Sequence, residues 1–185
     1  MLPIETVAVV GATAEGTACA VLASLAGCVV RVFDASDAAL ERAFEAVRRR
    51  VEIAFASGVI TRTERQRILD GLLFTPDLEE ALTGADLAVD TAATAAGAAA
   101  DVAGRLGAAL RATAAIAAAG ETPAAALAAR VPQPGRVLAL RLADAQGPVP
   151  RVDVLPAPGT SPHVLERARA FAARVNRASR VAVGP

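Results

Sequence analysis

Val7 to Val10 is an unbroken apolar run, the pattern of a short strand buried on both faces. Apolar residues then recur at Ala18, Val21, Leu22 and Leu25, the i, i+3, i+4, i+7 spacing of a helix, and Gly27 marks its stop. Val29 to Phe33 reads as a second strand. Leu40, Phe44, Val47, Val51 and Phe55 form one stripe of a long helix whose other face carries Glu41, Glu45 and Arg48 to Arg50. On that solvated face Glu45 and Arg49 are spaced for an i,i+4 ion pair. Thr61 and Glu64 have the spacing of a capping box, which predicts a short helix ending near Leu69.

The alternation continues downstream. Leu87 to Asp90, Ala112 to Ala117 and Val137 to Leu142 read as strands, and Thr122-Pro123 and Ser161-Pro162 as N-cap and first-position pairs that open helices. In the alanine-rich stretch from Ala92 to Ala119, Asp101, Arg105 and Arg111 fall at spacings that suit a packed, alanine-faced helix. Val164, Ala168, Phe171 and Val175 share one face of the last helix, and QGPVP at 146–150 is the clearest break in periodicity. Strands alternating with helices predict an α/β fold: a Rossmann-type, doubly wound and mainly parallel sheet with helices on both faces, built as one domain over residues 1–185.

Composition narrows the chemistry. The formal net charge is zero and the charges are scattered, so no basic field draws nucleic acid or an anionic membrane. Alanine supplies much of the 54% hydrophobic content, and no apolar run approaches the ~20 residues of a spanning helix. Cys19 and Cys28 read as small buried core residues, and a cytoplasmic location is expected. There is no lysine, tyrosine or tryptophan, and His163 is the sole histidine, which leaves few groups for acid–base work near neutral pH. One histidine and two separated cysteines form no metal-ligand cluster, and no nucleophile elbow is visible.

The first strand runs into GATAEG, residues 11–16, and then a helix, the context of a G-x-G-x-x-G dinucleotide fingerprint. Gly11 suits the tight turn, Gly16 the close packing of the helix, and Asp34 at the end of the second strand suits a ribose 2′-hydroxyl, favouring NAD over NADP. Thr13 departs from the fingerprint, putting a β-branched side chain where backbone should approach the pyrophosphate, and Glu15 adds a negative charge nearby. Both point towards a weaker NAD site, the alternatives being a Thr13 hydroxyl that bonds a phosphate oxygen and a Glu15 that points into solvent. GAT also begins the G-A-T-G-x-x-G turn of short-chain dehydrogenases, but Ala14 and Thr17 replace two of its glycines and their Tyr–Lys pair is absent.

VAVVGATAEGTACAVLASLAGCVVRVFDAS, LEEALTGADLAVDTA and GRVLALRLADAQGPVPRVDVLPAPGTSPHVLERARAF, in this order and spacing, resemble the N-terminal NAD-binding domain of the 3-hydroxyacyl-CoA dehydrogenases along the whole chain. The resemblance implies oxidation of a 3-hydroxyacyl-CoA by NAD in fatty acid metabolism, with a His–Glu pair taking the hydroxyl proton. Arg141 matches the histidine of the family's H-F-F-N-P and Asp153 the glutamate twelve residues later. Asp144 matches the asparagine, Ala117 to Gly120 match S-N-T-S, and Thr94 matches a glutamate after the fourth strand. A guanidinium does not act as a base at neutral pH.

The family's helical second domain is expected to be absent, and with it most of the acyl pocket and the dimer interface. The first expectation is therefore a dehydrogenase-like domain that is catalytically impaired, a pseudoenzyme, and a weak or altered binder of a dinucleotide or acyl-CoA. The alternatives are an active oxidoreductase using Asp153 or completed by a partner chain, and a non-catalytic interaction protein or homo-oligomer. At the dyad positions, Arg141 and Asp153 are expected to form a charge-assisted hydrogen bond.

Overall fold

A computed structural model of the chain describes residues 3–91, 98–120, 123–143 and 151–181, with side chains described for all of these but 98–103 and 179–181. The strands are β1 (Thr6–Val10), β2 (Val29–Phe33), β3 (Leu72–Thr75), β4 (Leu87–Asp90), β5 (Ala115–Ala118), β6 (Val137–Ala143) and β7 (Arg151–Pro156). The helices are α1 (Ala14–Leu25), α2 (Asp37–Ala56), α3 (Arg62–Asp70), α4 (Leu78–Leu82), α5 (Ala98–Ala109), α6 (Ala124–Ala128) and α7 (Pro162–Val181). The strands form one sheet in the order β3-β2-β1-β4-β5-β6-β7, parallel except for β7, which runs antiparallel to β6. This is the doubly wound Rossmann architecture.

Apolar strands follow from burial on both faces. One core gathers Val7, Val9, Leu138 and Leu140 with α1, α2 and α7, and the other gathers Ala8, Val10 and Ile116 with α4, α5 and α6. On α7, Val164, Ala168, Phe171 and Val175 are all buried, as their spacing predicts. Cys19 and Cys28 are free thiols inside the core.

Several local expectations change. On α1 the buried positions are Gly16, Cys19, Ala20, Leu22, Ala23 and Ser24, with Ala18, Val21 and Leu25 only half-buried. The helix is covered by the sheet and by both α2 and α7, so its buried face is broader than a single amphipathic stripe and rotated from it. Glu45 pairs with Arg48 at i,i+3, not with Arg49. Phe44 is 38% exposed and meets Phe74 edge-on rather than entering the core. The alanine-rich stretch divides into α5 and β5, leaving Arg111 beyond the helix end, where it binds the Asp86 carboxylate at 2.7 Å. Pro123, not Thr122, occupies the N-cap position of α6, and Thr122 lies outside the described residues, as does 146–150.

Candidate active site

The strand order reverses direction between β1 and β4, and the crevice at their carboxyl ends is where an open α/β sheet receives a ligand. The N-terminus of α1 opens onto it. Gly11, at φ 102°, turns the chain out of β1, and its N–H donates to the Phe33 carbonyl at 2.8 Å. Gly16 lies so close to the turn that a Cβ would sit 2.1 Å from the Gly11 carbonyl oxygen. Asp34 accepts the Ala12 N–H at 2.8 Å on one oxygen and the Ser36 N–H at 2.9 Å on the other. It therefore braces the turn from the end of β2, and its remaining lone pairs can still accept a ribose hydroxyl.

Thr13 is the N-cap of α1. Its hydroxyl accepts the Gly16 N–H at 3.0 Å and donates to the Thr91 hydroxyl at 3.2 Å. The Thr91 hydroxyl in turn faces the carbonyl oxygens of Gly11 at 2.9 Å and Val10 at 3.1 Å. A helix N-terminus attracts phosphate through N–H groups without intrahelical partners, and here one of them is satisfied by the chain's own side chain. Thr91 was not among the residues singled out from sequence. Its signal was available, as the first hydroxyl after the apolar run Leu87 to Val89 and Asp90, where a strand meets the crevice.

The shape of the turn thus fits a pyrophosphate, while its donor set is partly taken. Glu15 is exposed in the first turn of α1. Burial, with a smaller contribution from the Glu15 charge, pushes the Cys19 thiol up to about 12, so it offers no thiolate to the site.

Arg141 and Asp153 stand directly opposite one another in the β6–β7 register. The expected ion pair between them does not occur: among the described residues the partner of Asp153 is Arg151, at 3.2 Å, two residues away on the same strand face. Side chains at i and i+2 share a face, which lets Arg151 compete for the carboxylate. Arg141 is exposed and borders a cavity of about 440 Å³ with Glu15, Ala118, Gly120, Ala139 and Leu155. His163 is exposed in the first turn of α7. Because β7 is antiparallel, it returns the chain to the amino ends of the parallel strands, so α7 begins at the end of the sheet opposite Gly11 and the crevice. Thr94 and Asp144 lie outside the described residues. Among the described residues no group of three or more His, Cys, Asp or Glu could hold a metal ion.

The family model for the NAD-binding domain of 3-hydroxyacyl-CoA dehydrogenase matches residues 6–183. The chain belongs to that family. Among solved structures, the NAD-binding domain described here is similar to M. tuberculosis FadB2, with 28% identity and a TM-score of 0.84 over 95% of this chain and 62% of that one. It is also similar to 3-hydroxybutyryl-CoA dehydrogenase from Escherichia coli K12, with 25% identity and a TM-score of 0.83 over 94% of this chain and 37% of that one. (S)-3-hydroxybutyryl-CoA dehydrogenase PaaH1 from Ralstonia eutropha, at 18% identity and a TM-score of 0.82 over 94% of this chain and 61% of that one, shares the fold. The chain thus spans less than two thirds of the length of these relatives. No sequence among curated proteins matches it. The family implies NAD, and no helix of the described residues is long and apolar enough to cross a membrane.

Proposed function

We propose that this member of the 3-hydroxyacyl-CoA dehydrogenase family keeps the dinucleotide cradle as a scaffold, holds NAD weakly and does not by itself oxidise a hydroxyacyl thioester. The observation that carries this reading is the Thr13 hydroxyl on the Gly16 N–H, at 3.0 Å, inside the turn that would face a pyrophosphate. A nucleotide phosphate must displace that bond or do without the donor, and exposed Glu15 repels it from the same helix end. Gly11, Gly16 and Asp34 supply the retained geometry.

The chemistry is limited separately. Arg141, matched by resemblance to the proton acceptor, is a permanent cation, and loss of a positioned general base lowers rate by about 10²–10⁴-fold. Asp153 is a carboxylate held by Arg151. The test is NADH formation from 3-hydroxybutyryl-CoA and NAD by the purified chain, followed at 340 nm, beside a fluorescence titration with NADH. The expected result is no turnover above the protein-free control and weak NADH binding. Sustained NADH formation by this polypeptide alone would overturn the reading.

A further inference from the structure

We infer that the cavity at the carboxyl ends of β5 and β6 binds a small aliphatic monocarboxylate through Arg141. This rests on the reading above, that Arg141 stands where a proton acceptor would be and takes no proton. The cavity has a volume of about 440 Å³, and its walls come from Ala118, Pro123, Ala124, Ala139 and Leu155. Clefts that take small ligands are mostly apolar with a few convergent polar groups, at about 300–1,000 Å³.

The polar group here is a guanidinium without an ion-pair partner among the described residues. Its cross-strand neighbour Asp153 is engaged by Arg151 at 3.2 Å, so the nearest carboxylate in register does not neutralise it. Arg141 is paired with Asp153 of β7, and two residues before it Ala139 is held on both sides, by Ala118 of β5 and Leu155 of β7. A planar guanidinium presents a donor fork that matches a carboxylate bidentately. Alanine, proline and leucine walls then receive the hydrocarbon body. Among the described residues the other charge on the cavity is Glu15, exposed on the first turn of α1, and it opposes an anion. Arg141 is the one cation among the described lining residues, so it matches a monoanion in charge, whereas the second charge of a phosphate dianion would be desolvated there without a partner.

The experiment is a titration of the ¹⁵N-labelled chain with hexanoate, with hexanol and hexylamine as matched controls, read from amide shifts. Saturable shifts at Ala118, Gly120, Ala139 and Arg141 are expected with hexanoate and not with either control. Arg141→Gln should weaken hexanoate by about tenfold, the scale of one charge-assisted hydrogen-bonded contact. Arg141→Lys, which keeps the charge and loses the fork, should weaken it less, and Glu15→Gln should tighten it a few-fold. An equal response to hexanol, an affinity unchanged in both Arg141 variants, or hexylamine binding that Glu15→Gln abolishes would each overturn the assignment. Failure of the underlying reading shows instead as NADH formation in the enzymatic assay, so the two outcomes are separable.

Discussion

A methyl group on Gly16 would meet the Gly11 carbonyl oxygen at 2.1 Å and the Thr91 hydroxyl at 2.7 Å. The first contact is with backbone, which has nowhere to go without moving α1 away from β1. Gly16→Ala is therefore expected to destabilise the fold by about 1–3 kcal/mol through overpacking, read as a lowered urea midpoint at unchanged slope. A wild-type midpoint in that variant would show that α1 sits less tightly on the turn than described. Thr13 is different, because its position was legible in the sequence and its action was not. The broken fingerprint located the residue and suggested a steric plug. A β-branched side chain can point its hydroxyl in more than one direction, and here the fold turns it to cap its own helix while holding Thr91.

Two elements carry predictions of their own. The helix α3 opens with the full capping box that Thr61 and Glu64 predict, and the Arg65 side chain on it clasps Glu52 of α2. The Thr61 backbone N–H, and then its hydroxyl, hold the Glu64 carboxyl below its ordinary value of 4.5, and the Arg65 hydrogen bond does the same for Glu52. A lowered folded value means that the unfolded chain binds the proton more readily. The stabilisation is complete above about pH 4.5 and is lost as pH falls through the lowered values. Acid should thus lower the urea midpoint, and Glu64→Gln should flatten that dependence; an identical acid response in the variant would contradict the assignment.

The edge strand β7 is guarded by α7. The Asn176 amide accepts the Val152 N–H at 2.8 Å and donates to the Val152 carbonyl at 3.0 Å, satisfying both outward groups of a buried edge residue. Asn176→Leu leaves them unpaired, at a cost of about 1–3 kcal/mol, and opens an edge for pairing with another chain. Calorimetry with sedimentation should show a lower melting temperature and more concentration-dependent association than the wild-type chain; a melting temperature and sedimentation profile equal to wild type would exclude this role. The sequence gives no sign of this contact. Helix and strand periodicity places Asn176 on α7 without saying which strand it crosses. The elements β3 and α4 carry weaker signals: Leu72–Thr75 is an outer strand buried fully only at Thr75, and the five residues of Leu78–Leu82 are shorter than the window over which a helical period declares itself.

At the scale of the molecule, the doubly wound sheet was legible because strands buried on both faces must be apolar throughout, as Val7 to Val10 and Val29 to Phe33 are. Register was not. Arg141 faces Asp153 across the β6–β7 pair, and the choice of Arg151 over Arg141 as ion-pair partner follows from side-chain geometry that no spacing encodes. What emerges is a family scaffold in which Thr13, held by Thr91, occupies one donor of the α1 N-terminus. The Arg141 guanidinium, unpaired among the described residues, borders the cavity that Glu15 of α1 also lines.

The most direct measurement of that account is a paired NADH titration of the wild-type chain and Thr13→Gly. Glycine at an N-cap costs only a few tenths of a kcal/mol in stability while returning the Gly16 N–H to the crevice. Affinity is expected to rise about tenfold, the worth of one backbone donor to a charged phosphate. Equal or weaker NADH binding by the glycine variant, with its fold intact, would contradict the claim that Thr13 closes the cradle.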